Sequence, residues 1–286
     1  MTKARGGEVD RSYGRSLREY ARGVVGGLLF SLPLLYTMEV WWAGFISRPS
    51  NLLVYLAAGF LLLFGYNRYA GLHQDASWLE VGFEAVEEMG LGLLIAAGIL
   101  WLIGQIDGTM TAGEVVGKIV AEAVTVAIGV SVGSAQLGGT SEGGMTGKGG
   151  NPDRQLGLAG QIVLAGCGAV LLASNVAPTE EIVLIAIEAS RWQVVGLAVL
   201  SFALAWAILF ASGFKGADRL SAPDEGTGSM VLRTALNYAV ALAASAFILW
   251  FFGRFDGVSP AVCVAQTVVL GVASVLGASA GRVLLR

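Results

Sequence analysis

The chain has 286 residues, 55% of them hydrophobic and only 14% charged, against about 25% charged in an ordinary soluble domain. That much apolar surface cannot be hidden inside a water-soluble core, so the composition excludes a soluble globular fold and places the chain in a bilayer. A formal charge of −3 gives no reason to expect a polyanionic partner and sets nucleic acid aside.

Residues 1–22 form a polar, Arg-rich tail, and no short apolar stretch with a small-residue cleavage site follows it, so no cleaved signal peptide is expected. A hydrocarbon core about 30 Å thick asks for roughly 20 apolar residues per helix. In chain order, segments near 23–46, 52–69, 86–104 and 113–137 meet or approach that length, followed by 158–174 with a broken continuation to 189, then 194–213, 230–252 and 260–284. Only helices and closed barrels satisfy their backbone groups in lipid, and long runs of Leu, Ala and Val mean helices. The expected fold class is therefore an all-α integral membrane protein with eight transmembrane helices.

Those spans divide into two fours. The decapeptide ILWLIGQIDG at 99–108 returns as ILWFFGRFDG at 248–257 with six of ten residues identical. At a spacing of 142, Thr37 pairs with Thr179 and Glu39 with Glu181; at 148, GVSVGSAQL at 129–137 falls on GASAGRVLL at 277–285. This is the mark of an internal duplication. The domain reading is a basic tail (1–22), a first four-helix repeat (23–137), a Gly-rich linker (138–157) and a second repeat (158–286). An even number of helices per copy gives both copies the same orientation, as in parallel-repeat transporters. Fourteen Lys and Arg fall on the side of the termini and only Arg48, Lys118, Arg191 and Arg254 on the other, so both ends are expected in the cytoplasm. In the linker, GMTGKGG is not a phosphate loop: Glu142 stands where the first glycine is required, and Gly149 follows Lys148 where Ser or Thr belongs.

Ionisable groups in spanning segments are costly and default to functional candidates. Glu39, its partner Glu181, and Glu122 are expected at comparable depth, facing one another near the axis. Thr37 and Thr179 lie two residues before the paired acids, and Glu180 adjoins Glu181. Asn175, Pro178 and the run Thr179-Glu180-Glu181 interrupt the fifth span, and freed carbonyls there need a partner; Pro33 is expected to make only a weaker bend. Glu80, Glu84, Glu87 and Glu88 recur at helical steps before the third span and read as a cytoplasmic acidic vestibule, or as an ion-pair network in which Arg233, the counterpart of Glu84, neutralises it. Gly129, Gly133, Gly277 and Gly281, with Ser131 and Ser279 between them, form small-residue pairs for helix packing or a pore lining. Asp107 and Asp256 read as turn residues, and Trp41, Trp42, Trp101 and Trp250 as interface aromatics. Cys167 and Cys263 lie in apolar runs as reduced packing residues. The one histidine, His73, builds neither a metal site nor a catalytic pair.

The segments TME (37–39), EEMGLG (87–92), SVGSAQLG (131–138) and APTEEI (177–182) together resemble an uncharacterised bacterial family of integral membrane proteins, a domain of unknown function, over most of the chain after the tail. The resemblance implies a bacterial integral membrane protein and supplies no activity or site. From the residues, the expected function is a transporter or channel for a metal ion or a proton, with Glu39 and Glu181 as the metal-binding pair, since hard cations select oxygen ligands. No cofactor and no enzymatic activity are expected. The partners are the lipid bilayer and the cation or proton, with a homo-oligomer left open; the expected location is the inner membrane. The alternative is a non-transporting scaffold or lipid-binding protein.

Overall fold

The computed structural model describes residues 20–71, 77–138, 157–216 and 227–284, and no strand occurs among them. The basic tail to residue 19, the linker residues 139–156 and His73 lie outside the described residues. The helices are α1 (Tyr20–Leu35), α2 (Met38–Ile46), α3 (Pro49–Ala70), α4 (Trp78–Leu102), α5 (Ala112–Gly138), α6 (Leu158–Val176), α7 (Glu180–Glu188), α8 (Arg191–Gly216), α9 (Thr227–Phe251) and α10 (Pro260–Leu284). Seven of these are long and apolar enough to cross a membrane, and α1 with α2 makes an eighth if that bent pair is one span.

The first span departs from expectation. A bend of 85° separates α1 from α2, where only a mild bend at Pro33 was anticipated. Pro33 has no N–H for the Leu29 carbonyl, and Thr37 then takes extended backbone, φ −98° and ψ 112°, which ends one helix and starts another. The Thr37 hydroxyl donates to the Pro33 carbonyl at 2.6 Å. Pro178 marks the equivalent break between α6 and α7, where the Thr179 hydroxyl donates to the Val176 carbonyl at 2.9 Å. Both threonines thus satisfy carbonyls that the helix breaks release.

The third span also starts earlier, at Trp78 rather than near Val86. The reason is a capping box: the Ser77 N–H donates to Glu80 Oε2 at 2.7 Å, and the Glu80 N–H donates to Ser77 Oγ at 3.4 Å. Together these satisfy two orphan donors at the helix start. The acidic face of Glu80, Glu84 and Glu87, expected at helical steps ahead of the third span, is consequently the first part of α4 itself.

At their other ends α4 and α9 stop alike. Gly104 at φ 72° and Gly253 at φ 68° take the left-handed conformation that costs glycine nothing. Beyond them the Gln105 N–H reaches back to the Leu100 carbonyl at 2.8 Å, and the Arg254 N–H to Leu249 at 2.9 Å. These are the six-to-one bonds of a Schellman ending, and they explain why the decapeptide keeps its internal glycine.

The core forms around α5 and α10. Within its spanning window α5 is 78% buried, against 11% for the more apolar α8; lipid accepts an apolar helix on all sides, whereas the small residues of α5 let neighbouring helices close around it. α5 packs against α2, α3 and α4, and α10 against α6, α7, α8 and α9. Glycine lets the backbones touch: a methyl on Gly26 would overlap Gly133 on α5, and one on Gly168 of α6 would overlap Gly277 on α10. The halves meet through α3, α6 and α9, where Tyr55 stacks on Phe251 with ring centroids 3.8 Å apart.

Candidate functional site

Glu122 lies ten residues into α5, about 15 Å along the axis and well inside a hydrocarbon layer. Its side chain is 0% exposed, and neither carboxylate oxygen has a protein hydrogen-bond partner. Burial of an unpaired ionised carboxylate costs many kcal/mol, so the group needs a proton or a cation in that position. Thr125, one turn further on the same face of α5, is also 0% exposed. Its hydroxyl, the Tyr55 hydroxyl of α3 and the Ser174 hydroxyl of α6 are all buried without a protein partner. Thr125 and Ser174 flank the Tyr55 hydroxyl, and Glu122 acts on it electrostatically, yet none of these oxygens meets another in hydrogen-bond geometry. Three hydroxyls drawn from both halves of the chain thus gather in the interior, and Glu122, on the same face of α5 as Thr125, acts on the Tyr55 hydroxyl electrostatically from farther off.

Glu39 and Glu181 stand apart from this enclosure. Both sit in first turns, of α2 and α7 respectively; Glu39 is half-buried, while Glu180 and Glu181 are exposed. The Glu181 carboxyl is held below the ordinary carboxylate range, chiefly by its own backbone N–H at the start of α7. It is therefore ionised at neutral pH, as suits an anion at a helix N-terminus. Glu39, Glu122 and Glu181 do not form a three-residue group able to hold a metal, and no such group of His, Cys, Asp or Glu occurs among the described residues.

A second polar cluster lies deeper along α4. Asn67 of α3 donates to Glu88 Oε2 at 2.7 Å and accepts from the Ser131 hydroxyl at 2.8 Å. In the other half Asn237, at the position matching Glu88, donates to Ser279 Oγ at 2.9 Å. The paired serines of α5 and α10 are therefore interhelical hydrogen-bond partners. Gly129 and Gly133 lie against Gly26 and Gly27 of α1, and Gly277 and Gly281 against Gly168 and Leu164 of α6. These glycines are helix contacts. Of the vestibule acids, Glu87 is exposed and accepts from the Tyr20 hydroxyl, while Glu84 and Glu88 are half-buried.

Asn175 clips the two halves together at the helix breaks. Its Oδ1 accepts from the Leu34 N–H at 3.0 Å, while Nδ2 donates to the Phe30 carbonyl at 3.1 Å and to Leu171 at 2.6 Å. Phe30 and Leu34 are the acceptor and donor of the turn of α1 that contains Pro33, so one side chain stabilises the turn that proline weakens. At the 142-residue spacing Asn175 corresponds to Pro33 itself.

Sequence reasoning missed Tyr55, Thr125, Ser174 and Asn67. Thr125 carried a signal, being three residues past Glu122 and hence on its face. The others are single polar residues in apolar helices, and only the packing brings them in. A shallow pocket of about 330 Å³ beside Trp41, Trp42, Met110, Glu114 and Lys118 includes none of the candidate acids, and its Lys118 ammonium is bonded to the Gln105 carbonyl at 2.9 Å.

Fold and site together define an integral membrane protein: a helical bundle with an enclosed acid at its centre and apolar side chains on its outer faces. The chain belongs to the family described as "Putative integral membrane protein (DUF2391)", whose model matches residues 19–285. No curated protein and no solved structure matches it.

Proposed function

We propose that this protein is a transporter or channel for a cation, a metal ion or a proton, and is not an enzyme. The observation that carries this reading is Glu122, fully buried with both oxygens lacking a protein partner. A stable scaffold has no use for such a group: a leucine would pack there at no electrostatic cost, and an acid retained as structural glue would be bonded. Two parallel-oriented four-helix repeats frame it in this reading. The matching helix endings at Gly104 and Gly253 and the matching contacts Gly26–Gly133 and Gly168–Gly277 support that arrangement, and such repeats put their sites where the two copies meet. Both termini are assigned to the cytoplasmic side of the inner membrane by the distribution of Lys and Arg. Glu39 and Glu181, at the helix breaks, act as approach ligands rather than as the central pair.

The test is flux in proteoliposomes loaded with a cation- or proton-sensitive dye. Glu122→Gln keeps the shape and removes the charge; it should lower flux at least tenfold, with Glu39→Gln and Glu181→Gln giving smaller losses. Flux through Glu122→Gln equal to that of the unaltered protein would refute the proposal.

A further inference from the structure

The three hydroxyls around Glu122 say more about the occupant than the acid alone. We infer that Glu122, Tyr55, Thr125 and Ser174 form a site for one dehydrated monovalent metal cation, with Glu122 as its only anionic ligand; this rests on the transport reading and narrows its substrate.

The ligand chemistry comes first. All four groups offer oxygen, which suits hard cations and not copper or silver ions. The nearest soft atom in α6, Cys167, lies seven residues from Ser174 and donates to the Leu62 carbonyl, so it is engaged elsewhere. Charge balance comes next. A single carboxylate cancels one positive charge; a divalent ion would leave a full charge in an apolar interior, at a cost the three neutral hydroxyls cannot offset.

The duplication argues for one ion per chain. Leu270 stands 148 residues after Glu122, at the same place in α10, and is fully buried. The second copy therefore offers no carboxylate, and the site exists once. It also bridges the halves, since Tyr55, Glu122 and Thr125 precede the linker and Ser174 follows it. Ser174 immediately precedes Asn175, the residue clipped to α1, so ion binding and the geometry of the helix break are adjacent along the chain.

The experiment is thermal unfolding of the purified full chain in detergent at mildly alkaline pH, with LiCl, NaCl or KCl compared against choline chloride at equal ionic strength, and with CaCl2 and MgCl2 as further arms. Binding to the native state alone raises stability. At least one alkali cation should raise Tm by a few degrees over choline, Glu122→Gln should abolish that rise, and Thr125→Val should raise the half-maximal concentration about tenfold. No alkali-specific rise, a rise produced only by the divalent ions, or a rise that survives in Glu122→Gln overturns the inference. Proteoliposomes separate it from the broader reading. An alkali-dependent Tm without flux keeps the site and sinks transport, whereas Glu122-dependent proton flux without any alkali effect keeps transport and sinks the metal site.

Discussion

Asn175→Ala removes three hydrogen bonds with one substitution. Two of them cross between helices, to Leu34 N–H at 3.0 Å and Phe30 C=O at 3.1 Å, and the third is to Leu171 C=O at 2.6 Å within α6. Hydrogen bonds between helices in lipid average about 0.6 kcal/mol and reach about 1.7, so losing two predicts a cost of about 1–3 kcal/mol. At about 2–4 °C per kcal/mol for a chain near this size, Tm should fall by roughly 2–12 °C. Asn175→Asp is the more telling variant. It keeps an acceptor for Leu34 but turns an acceptor toward the Phe30 and Leu171 carbonyls, where the amide had donated. Two acceptors facing each other, with a charge added in an apolar setting, cost more than the simple loss of the amide. Thermal unfolding in a fixed detergent, followed by tryptophan fluorescence, should rank the proteins wild type, then Ala, then Asp. An Asp variant as stable as the Ala variant would mean that the amide does not bridge α1 and α6 as described.

Further outcomes concern packing and the loops. Gly168→Ala puts a methyl into the Gly277 carbonyl oxygen and should cost about 1–3 kcal/mol by overpacking, whereas Gly90→Ala meets nothing within 4 Å and should gain about 0.5–1 kcal/mol from helix propensity. Reversal of that order in urea or thermal unfolding would count against the close approach of α6 and α10. Asp107 should titrate below the ordinary aspartate value of about 3.9, because its carboxyl accepts from the Thr109 hydroxyl and from the Thr109 N–H. With the folded value depressed, its contribution to stability is complete above the unfolded value and is lost as pH falls through the folded one. A carbon-detected NMR titration that places Asp107 at or above the ordinary value contradicts this.

Much of the architecture was legible because bilayer physics writes itself into composition. Long apolar runs marked the spans, and the Pro178 break appeared where α6 gives way to α7. The bend at Pro33 exceeds what proline alone implies: proline weakens one turn, but the 85° angle also needs Thr37 in extended backbone and α2 drawn onto α5, where Gly44 meets Gly117. The start of α4 is legible in Ser77-Trp78-Leu79-Glu80 as a capping-box pattern, which lies ahead of the apolar run that marks the span by composition. Glu39 and Glu181 pair in the sequence with a threonine two residues before each. Their shared place, in the first turns of two short helices, equally serves the helix N-terminus.

What the amino-acid order determined by itself is therefore local or compositional: membrane residence, the helices, the matching endings at Gly104 and Gly253, and Glu122 as an acid inside an apolar helix. Which groups surround that acid was decided only by tertiary packing. Tyr55, Thr125 and Ser174 come from α3, α5 and α6, up to 119 residues apart, and no periodicity within one helix encodes a meeting among three. The physical reason is that side-chain periodicity reports which face of a helix avoids lipid, whereas contact between faces depends on how closely glycines let α1, α5, α6 and α10 approach.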